Sequence, residues 1–147
     1  MNFEILEERY LAIDYGEKRV GIAISDPLQI FAIPLVTLNN DSGFWKKLIA
    51  IFSSYKIKLV ILGYPLKESG KKSRISGLVE KFKEELERKI KVPVVLVDER
   101  YSSSVAVERI RESVPSRKKR QSKSMIDMNA AAVILEDYLK EAGSGKL

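Results

Sequence analysis

Arg9-Tyr10-Leu11-Ala12-Ile13-Asp14-Tyr15-Gly16-Glu17-Lys18-Arg19-Val20-Gly21-Ile22-Ala23-Ile24-Ser25 is two mostly apolar runs separated by a short polar break. Arg9 to Asp14 reads as a buried strand and Val20 to Ser25 as a second. Tyr15-Gly16-Glu17-Lys18 makes the turn between them, with Gly16 available for a positive φ. The two runs therefore form a hairpin. Ile30 to Leu38 predicts a third strand, in which Pro34 marks an irregularity or an edge position. The chain opens as an antiparallel meander.

Downstream the pattern changes. Asp41 or Ser42 is placed to cap a helix that carries Phe44, Leu48, Ile51, Phe52 and Tyr55 along one side. Lys58 to Leu62 is a continuous apolar run, as expected of a strand covered on both faces. Gly63 to Ser73 is a polar loop. Arg74 to Lys91 is an amphipathic helix with Ile75, Leu78, Val79, Phe82, Leu86 and Ile90 at helical spacing. Pro93 to Val97 predicts another buried strand, Ser102 to Ser113 a short helix and Pro115 to Lys123 a basic loop. Ser124 to Glu141 is the last helix, ended by Gly143. Three antiparallel strands followed by alternating helix and strand give an α/β fold: a mixed five-stranded sheet with helices on both faces. Crossover connections make the two later strands parallel to the first. One domain, residues 1–147, accommodates all of this.

Composition narrows the chemistry. The 147 residues contain no cysteine and no histidine. Thiol catalysis, cysteine zinc sites and the usual general base are thereby excluded. Met1 to Leu11 lacks a basic start and a long apolar stretch, and no window nears the ~20 apolar residues of a membrane span, so a cytoplasmic protein without membrane association is expected. The formal charge of +6 favours a polyanionic partner.

Ligands of such sheets gather beyond the carboxyl ends of the parallel strands. Asp14 ends the first strand, and Asp98 and Glu99 end the last. Asp127 is expected in the first turn of the final helix. Ala131, Ile134 and Tyr138 follow it at steps of four, three and four, which turns Asp127 toward the core. Each acid also has a local reading. Asp14 begins a turn; Asp98 or Glu99 can cap the following helix or pair with Arg100; Asp127 follows Ser124 by three, as in a capping box. Their convergence on one rim is what points to chemistry. Gathered carboxylates repel unless cations compensate them. Magnesium or manganese does so with oxygen ligands, and two such ions about 4 Å apart support phosphodiester cleavage.

Basic groups surround that rim. Arg117, Lys118, Lys119, Arg120 and Lys123 precede Asp127. Lys67, Lys71, Lys72 and Arg74 follow the fourth strand, and Lys18 and Arg19 lie in the first hairpin. All are candidate phosphate contacts, with plain surface solubility as the alternative. Gly21 and Ala23 on the second strand leave room either for substrate or, more simply, for a packed helix. Trp45 suits packing better than base stacking, and Tyr101 is a further stacking candidate. The loop after the fourth strand is no P-loop, because Pro65 and Lys72 stand where that motif needs glycine and serine or threonine. Ser69 and Lys72 form a chance Ser-x-x-Lys pair.

Asp14-Tyr15-Gly16-Glu17-Lys18-Arg19-Val20-Gly21-Ile22-Ala23-Ile24-Ser25-Asp26 resembles the opening signature of the YqgF family, also called RuvX. Gly63-Tyr64-Pro65-Leu66, Asp98-Glu99-Arg100 and Asp127 with Ala130-Ala131-Ala132 follow in that family's order. The likeness runs from about residue 9 to 140. Tyr101-Ser102-Ser103 departs from the family's more usual aliphatic residue and threonines. The resemblance implies the ribonuclease H-like fold, kinship with the RuvC Holliday junction resolvases, and a nuclease that matures the 5′ end of precursor 16S ribosomal RNA. It implies Asp14, Glu99 and Asp127 as metal-binding catalytic residues, with Asp98 a substitute or helper. Branched DNA is the alternative substrate. A non-catalytic nucleic-acid-binding module is one rival. An actin-like phosphotransferase is another, since Asp14-x-Gly16 with Gly21 also resembles that fold's phosphate hairpin; such enzymes use two lobes, and this chain has one.

Overall fold

The computed structural model describes residues 8–99 and 123–143. Five strands form one sheet: β1 (Arg9–Asp14), β2 (Arg19–Ser25), β3 (Ala32–Asn39), β4 (Ile57–Tyr64) and β5 (Val94–Asp98). Their order across the sheet is β3-β2-β1-β4-β5. β1 pairs antiparallel with β2, and β2 with β3; β4 runs parallel to β1, and β5 parallel to β4. The mixed sheet is the one expected. Pro34 lies on the edge strand β3, opposite Ala23, where the register shifts. An edge position removes the need for its missing donor.

Among the described residues three helices pack on the sheet: α1 (Phe44–Ser54), α2 (Arg74–Lys89) and α3 (Lys123–Gly143). Strand alternation sorts them. Leu11, Ile13, Val20, Ile22, Val60 and Leu62 cluster with Phe44 and Leu48 of α1 and Val79, Phe82 and Leu86 of α2. Ala12, Ala23 and Ile61 cluster on the opposite face with Ala131, Ile134 and Leu135 of α3. The small side chains of that second face let α3 lie close to the sheet. Trp45 packs as expected, its ring stacked on Phe82 with centroids 5.4 Å apart.

Helix ends differ from the sequence reading in four places. Gly43, not Asp41 or Ser42, is the N-cap of α1. Asp41 acts one step earlier, its Oδ1 accepting from the Gly43 amide at 3.0 Å. α2 stops at Lys89 with Ile90 extended, two residues short of the expected Lys91. Its start is a capping box that the sequence reading overlooked. The Ser76 amide donates to Ser73 Oγ at 3.3 Å and the Ser73 amide to Ser76 Oγ at 2.9 Å. Lys123, expected at the end of the basic loop, already belongs to α3. Asp127 therefore lies beyond the helix's first turn, and the capping-box reading with Ser124 fails. Gly16 also departs from expectation: Gly70 alone among the described glycines has a positive φ, at +83°. Gly16 is needed for closeness instead, because a Cβ there would lie 2.4 Å from the Arg19 carbonyl oxygen. The short helix expected at 102–113, the loop residues Arg117, Lys118, Lys119 and Arg120, and Arg100 and Tyr101 lie outside the described residues.

Candidate active site

The rim at the carboxyl end of β1, β4 and β5 collects the acids. Side chains alternate along a strand, and Ala12, Ile61, Val95 and Val97 all face α3. Continuing each alternation puts Asp14, Gly63 and Glu99 on that same face. Asp98 falls out of step with Val95 and Val97 and is exposed. Alternation thus selects Glu99 over its neighbour.

Glu99 must reach Asp14 across the intervening strand β4. Gly63 makes the passage. A Cβ on Gly63 would sit 2.4 Å from Glu99 Oε2 and 2.8 Å from its Cδ, inside van der Waals contact. With hydrogen in that place, the carboxyl group of Glu99 reaches over β4 and hydrogen-bonds Asp14. The Glu99 amide is tied to the Tyr64 carbonyl at 3.4 Å, which anchors the chain leaving β5.

A second glycine brings in Asp127. Asp14 pairs with Gly21 of β2. A Cβ on Gly21 would lie 2.1 Å from the carbonyl oxygen of Asp127 and 2.9 Å from the Met128 amide nitrogen. The backbone of α3 therefore rests directly on β2 at this point, one strand from Asp14. Of the two readings of Gly21, the packed helix is the one found. That packing also sets the position of Asp127.

The electrostatics follow from this crowding. Burial raises the Asp14 carboxyl above its ordinary value; the hydrogen bond from Glu99 opposes the shift and the charge of Asp127 adds to it. Burial pushes Glu99 up to about 10, helped by the charge of Asp14, the hydrogen bond to it and the charge of Asp98. The signs assign the proton: Glu99 donates and Asp14 accepts as the anion. Sharing one proton relieves the repulsion between two close carboxyl groups.

Asp127 is compensated differently. Arg19, the first residue of β2, donates from Nε to Asp127 Oδ2 at 3.0 Å. Both side chains are about three-quarters covered, with 29% and 25% exposed. Among the described residues no three acids, histidines or cysteines converge as a ready-made ion site. The donors at the rim are all carboxylate oxygens, the set that magnesium and manganese prefer. Asp14 and Glu99 are already side by side, and Asp14 feels the charge of Asp127.

The basic residues divide. Arg74 is bonded to Glu17, and Lys72 to Glu80 at 2.9 Å. Lys18, Lys67 and Lys71 are exposed. Glu80 also accepts from the Tyr64 hydroxyl at 2.5 Å, which raises the phenol and lowers the acid from their ordinary values. This Tyr64–Glu80–Lys72 chain braces the loop after β4 against α2, and the sequence reading did not anticipate it. Its signal was the helical position of Glu80 seven residues after Ser73, which only has meaning once α2 is docked.

A family model for RuvX, described as Holliday junction resolvase, matches residues 8–141. The chain belongs to the RuvX family. Relatives within reach of that family are similar over nearly their full length. A protein of Chlorobium chlorochromatii is 36% identical over 137 residues, covering 92% of this chain and 97% of its own. One of Chlorobaculum tepidum is 38% identical over 135 residues, covering 90% and 93%. One of Maridesulfovibrio salexigens is 38% identical over 136 residues, covering 91% and 99%. Each carries the name "Putative pre-16S rRNA nuclease". The RuvX match spans β1 to α3, so it embraces all four acids. No helix among the described residues is long and apolar enough to cross a membrane.

Proposed function

We propose that this RuvX-family chain hydrolyses phosphodiester bonds in nucleic acid, using two divalent ions held by Asp14, Glu99 and Asp127. The observation that carries the reading is the Asp14–Glu99 carboxyl pair at the sheet rim with Asp127 alongside, in a chain without histidine or cysteine. When bound, magnesium or manganese supplies a nucleophilic water at neutral pH and charge stabilisation for the leaving oxygen. The chain's own residues do the rest. Asp14 and Glu99 give oxygen ligands from strands on either side of β4. Glu99 would hold an ion as the carboxylate, its shared proton passing to solvent, and Asp98 sits nearby as a further negative charge. Lys18, Arg19, Lys71, Lys72 and Arg74 ring the rim and suit phosphate contact, and Arg100, Arg117, Lys118, Lys119, Arg120 and Lys123 extend that basic set along the sequence.

The substrate we favour is the 5′ end of precursor 16S ribosomal RNA, because the relatives named for that activity align over nearly the whole chain. Four-way DNA junctions are the second reading, supported by the family's description. A cytoplasmic setting suits either substrate. Incubating the protein with each substrate, in manganese or magnesium and again in excess chelator, decides among the readings. Metal-dependent cleavage of the RNA is expected. Preferential cutting of the junction reverses the substrate assignment, and cleavage that persists in chelator removes the metal mechanism.

A further inference from the structure

We infer that Arg19 is a resident counter-cation that competes with the divalent ions for Asp127, and so sets how much metal the site needs. The inference rests on the reading of Asp14, Glu99 and Asp127 as ion ligands. The crowded acids of the rim find three different forms of relief. Glu99 keeps a proton and Asp14 accepts a hydrogen bond from it. Asp127 is neutralised by a guanidinium 3.0 Å away. Arg19 is held where it is by the sheet: it opens β2 and pairs with Asn39 of β3. Its side chain reaches α3 because Gly21, two residues on, lets the Asp127 backbone settle on the strand. The same close approach that delivers Asp127 to the rim also delivers it to Arg19.

Consequences follow from charge alone. The guanidinium places a permanent positive charge 3.0 Å from Asp127 Oδ2. An incoming divalent ion must displace it, or share the carboxylate with it through the second oxygen. Either way the Arg19–Asp127 attraction is subtracted from the metal's binding free energy. The single-point Nε contact is weaker than a bidentate fork, which keeps the exchange within reach. Arg19 acts here as a positioning residue, through Asp127.

The test is Mn2+ binding by calorimetry, without nucleic acid, for wild type, Arg19→Gln, Asp127→Asn and the double variant. Circular dichroism checks that each is folded. Arg19→Gln is expected to bind Mn2+ about tenfold more tightly than wild type. Arg19→Lys, which keeps the charge on a different stem, is expected between the two. In the Asp127→Asn background the Gln substitution at 19 should no longer tighten binding, since the contact it relieves is gone. Equal or weaker Mn2+ binding by Arg19→Gln overturns the inference. So does equal tightening with Asp127→Asn present, which would make the effect a diffuse field and not competition for this carboxylate. If wild type binds no Mn2+ at all, the metal reading of the site falls and takes the inference with it; if wild type binds and Arg19→Gln changes nothing, the inference alone falls.

Discussion

At the scale of single residues, two glycines make opposite predictions. A methyl group on Gly63 would strike the ends of flexible side chains, Glu99 Oε2 at 2.4 Å and Ile134 Cδ1 at 2.9 Å. Glu99 can swing away. Gly63→Ala should therefore fold with a loss of about 1 kcal/mol or less, while the Mn2+-induced rise in melting temperature expected of wild type should be lost together with cleavage. A melting curve with and without Mn2+ reads both. A methyl group on Gly21 would strike backbone, the Asp127 carbonyl at 2.1 Å. Nothing there can rotate out of the way, so α3 has to move. Gly21→Ala should cost about 1–3 kcal/mol or more, as overpacking does. Denaturant midpoints of the two variants should differ accordingly; equal midpoints would mean that α3 does not rest on β2 as described.

The acids themselves separate by isosteric substitution. Asp14→Asn and Glu99→Gln keep shape but remove a ligand charge, so cleavage should fall by orders of magnitude with the fold intact. Metal-free Asp14→Asn should melt no lower than wild type, because one member of a repelling group is gone. Asp98→Asn should be milder, since strand alternation points it away from the pair.

At the scale of elements, α2 is the brace of the site. Its Ser73–Ser76 capping box fixes the helix start, and Ser76 Oγ also donates to the Pro65 carbonyl. The helix end, the loop after β4 and the Tyr64–Glu80–Lys72 chain are thereby locked together beside Glu99's strand neighbour. Ser73→Ala should cost about 1 kcal/mol, the usual value of a cap. Its urea midpoint should drop with the slope unchanged. A change in slope would show that the loop, and not the helix end, had come apart.

At the scale of the molecule, the shared proton couples stability to pH. Glu99 titrates near 10 in the fold against an ordinary 4.5. The folded protein thus holds a proton that the unfolded chain gives up above about 4.5. Such a group contributes fully to stability below the unfolded value, and the contribution is lost as pH rises toward the folded one. Metal-free protein should lose melting temperature between about pH 5 and about pH 9, with Glu99→Gln showing a flatter profile. Saturating Mn2+ should reverse the trend, because ligation expels the proton and is helped by alkali. Coincident profiles for wild type and Glu99→Gln would deny the shared proton. The net charge of +6 adds a second whole-molecule expectation. Neutralising Arg117, Lys118, Lys119 and Arg120 together should flatten the salt dependence of nucleic-acid binding by up to about four phosphate contacts.

The sequence by itself determined the strands, the mixed sheet and the rim on which the acids fall. Those are written in short-range patterns: the apolar runs of β1, β2 and β4 and the helical spacing of α2. It also excluded histidine and cysteine from the chemistry, since the chain has neither. Tertiary structure alone decided how those carboxylates are placed and balanced. Gly63 reads locally as the start of a loop, and its need for a bare Cα becomes visible only when Glu99 arrives from another strand. Gly21 tolerates any strand residue until α3 lies on it. Arg19 and Asp127 are 108 residues apart, and neither carries a local sign of the other. Strand position alone left Asp98 and Glu99 open, and the direction of β5 against α3 turns Glu99 toward Asp14. The physical reason is common to all four: periodicity acts over neighbouring residues, whereas close approach and charge compensation depend on which distant surfaces the fold brings into contact.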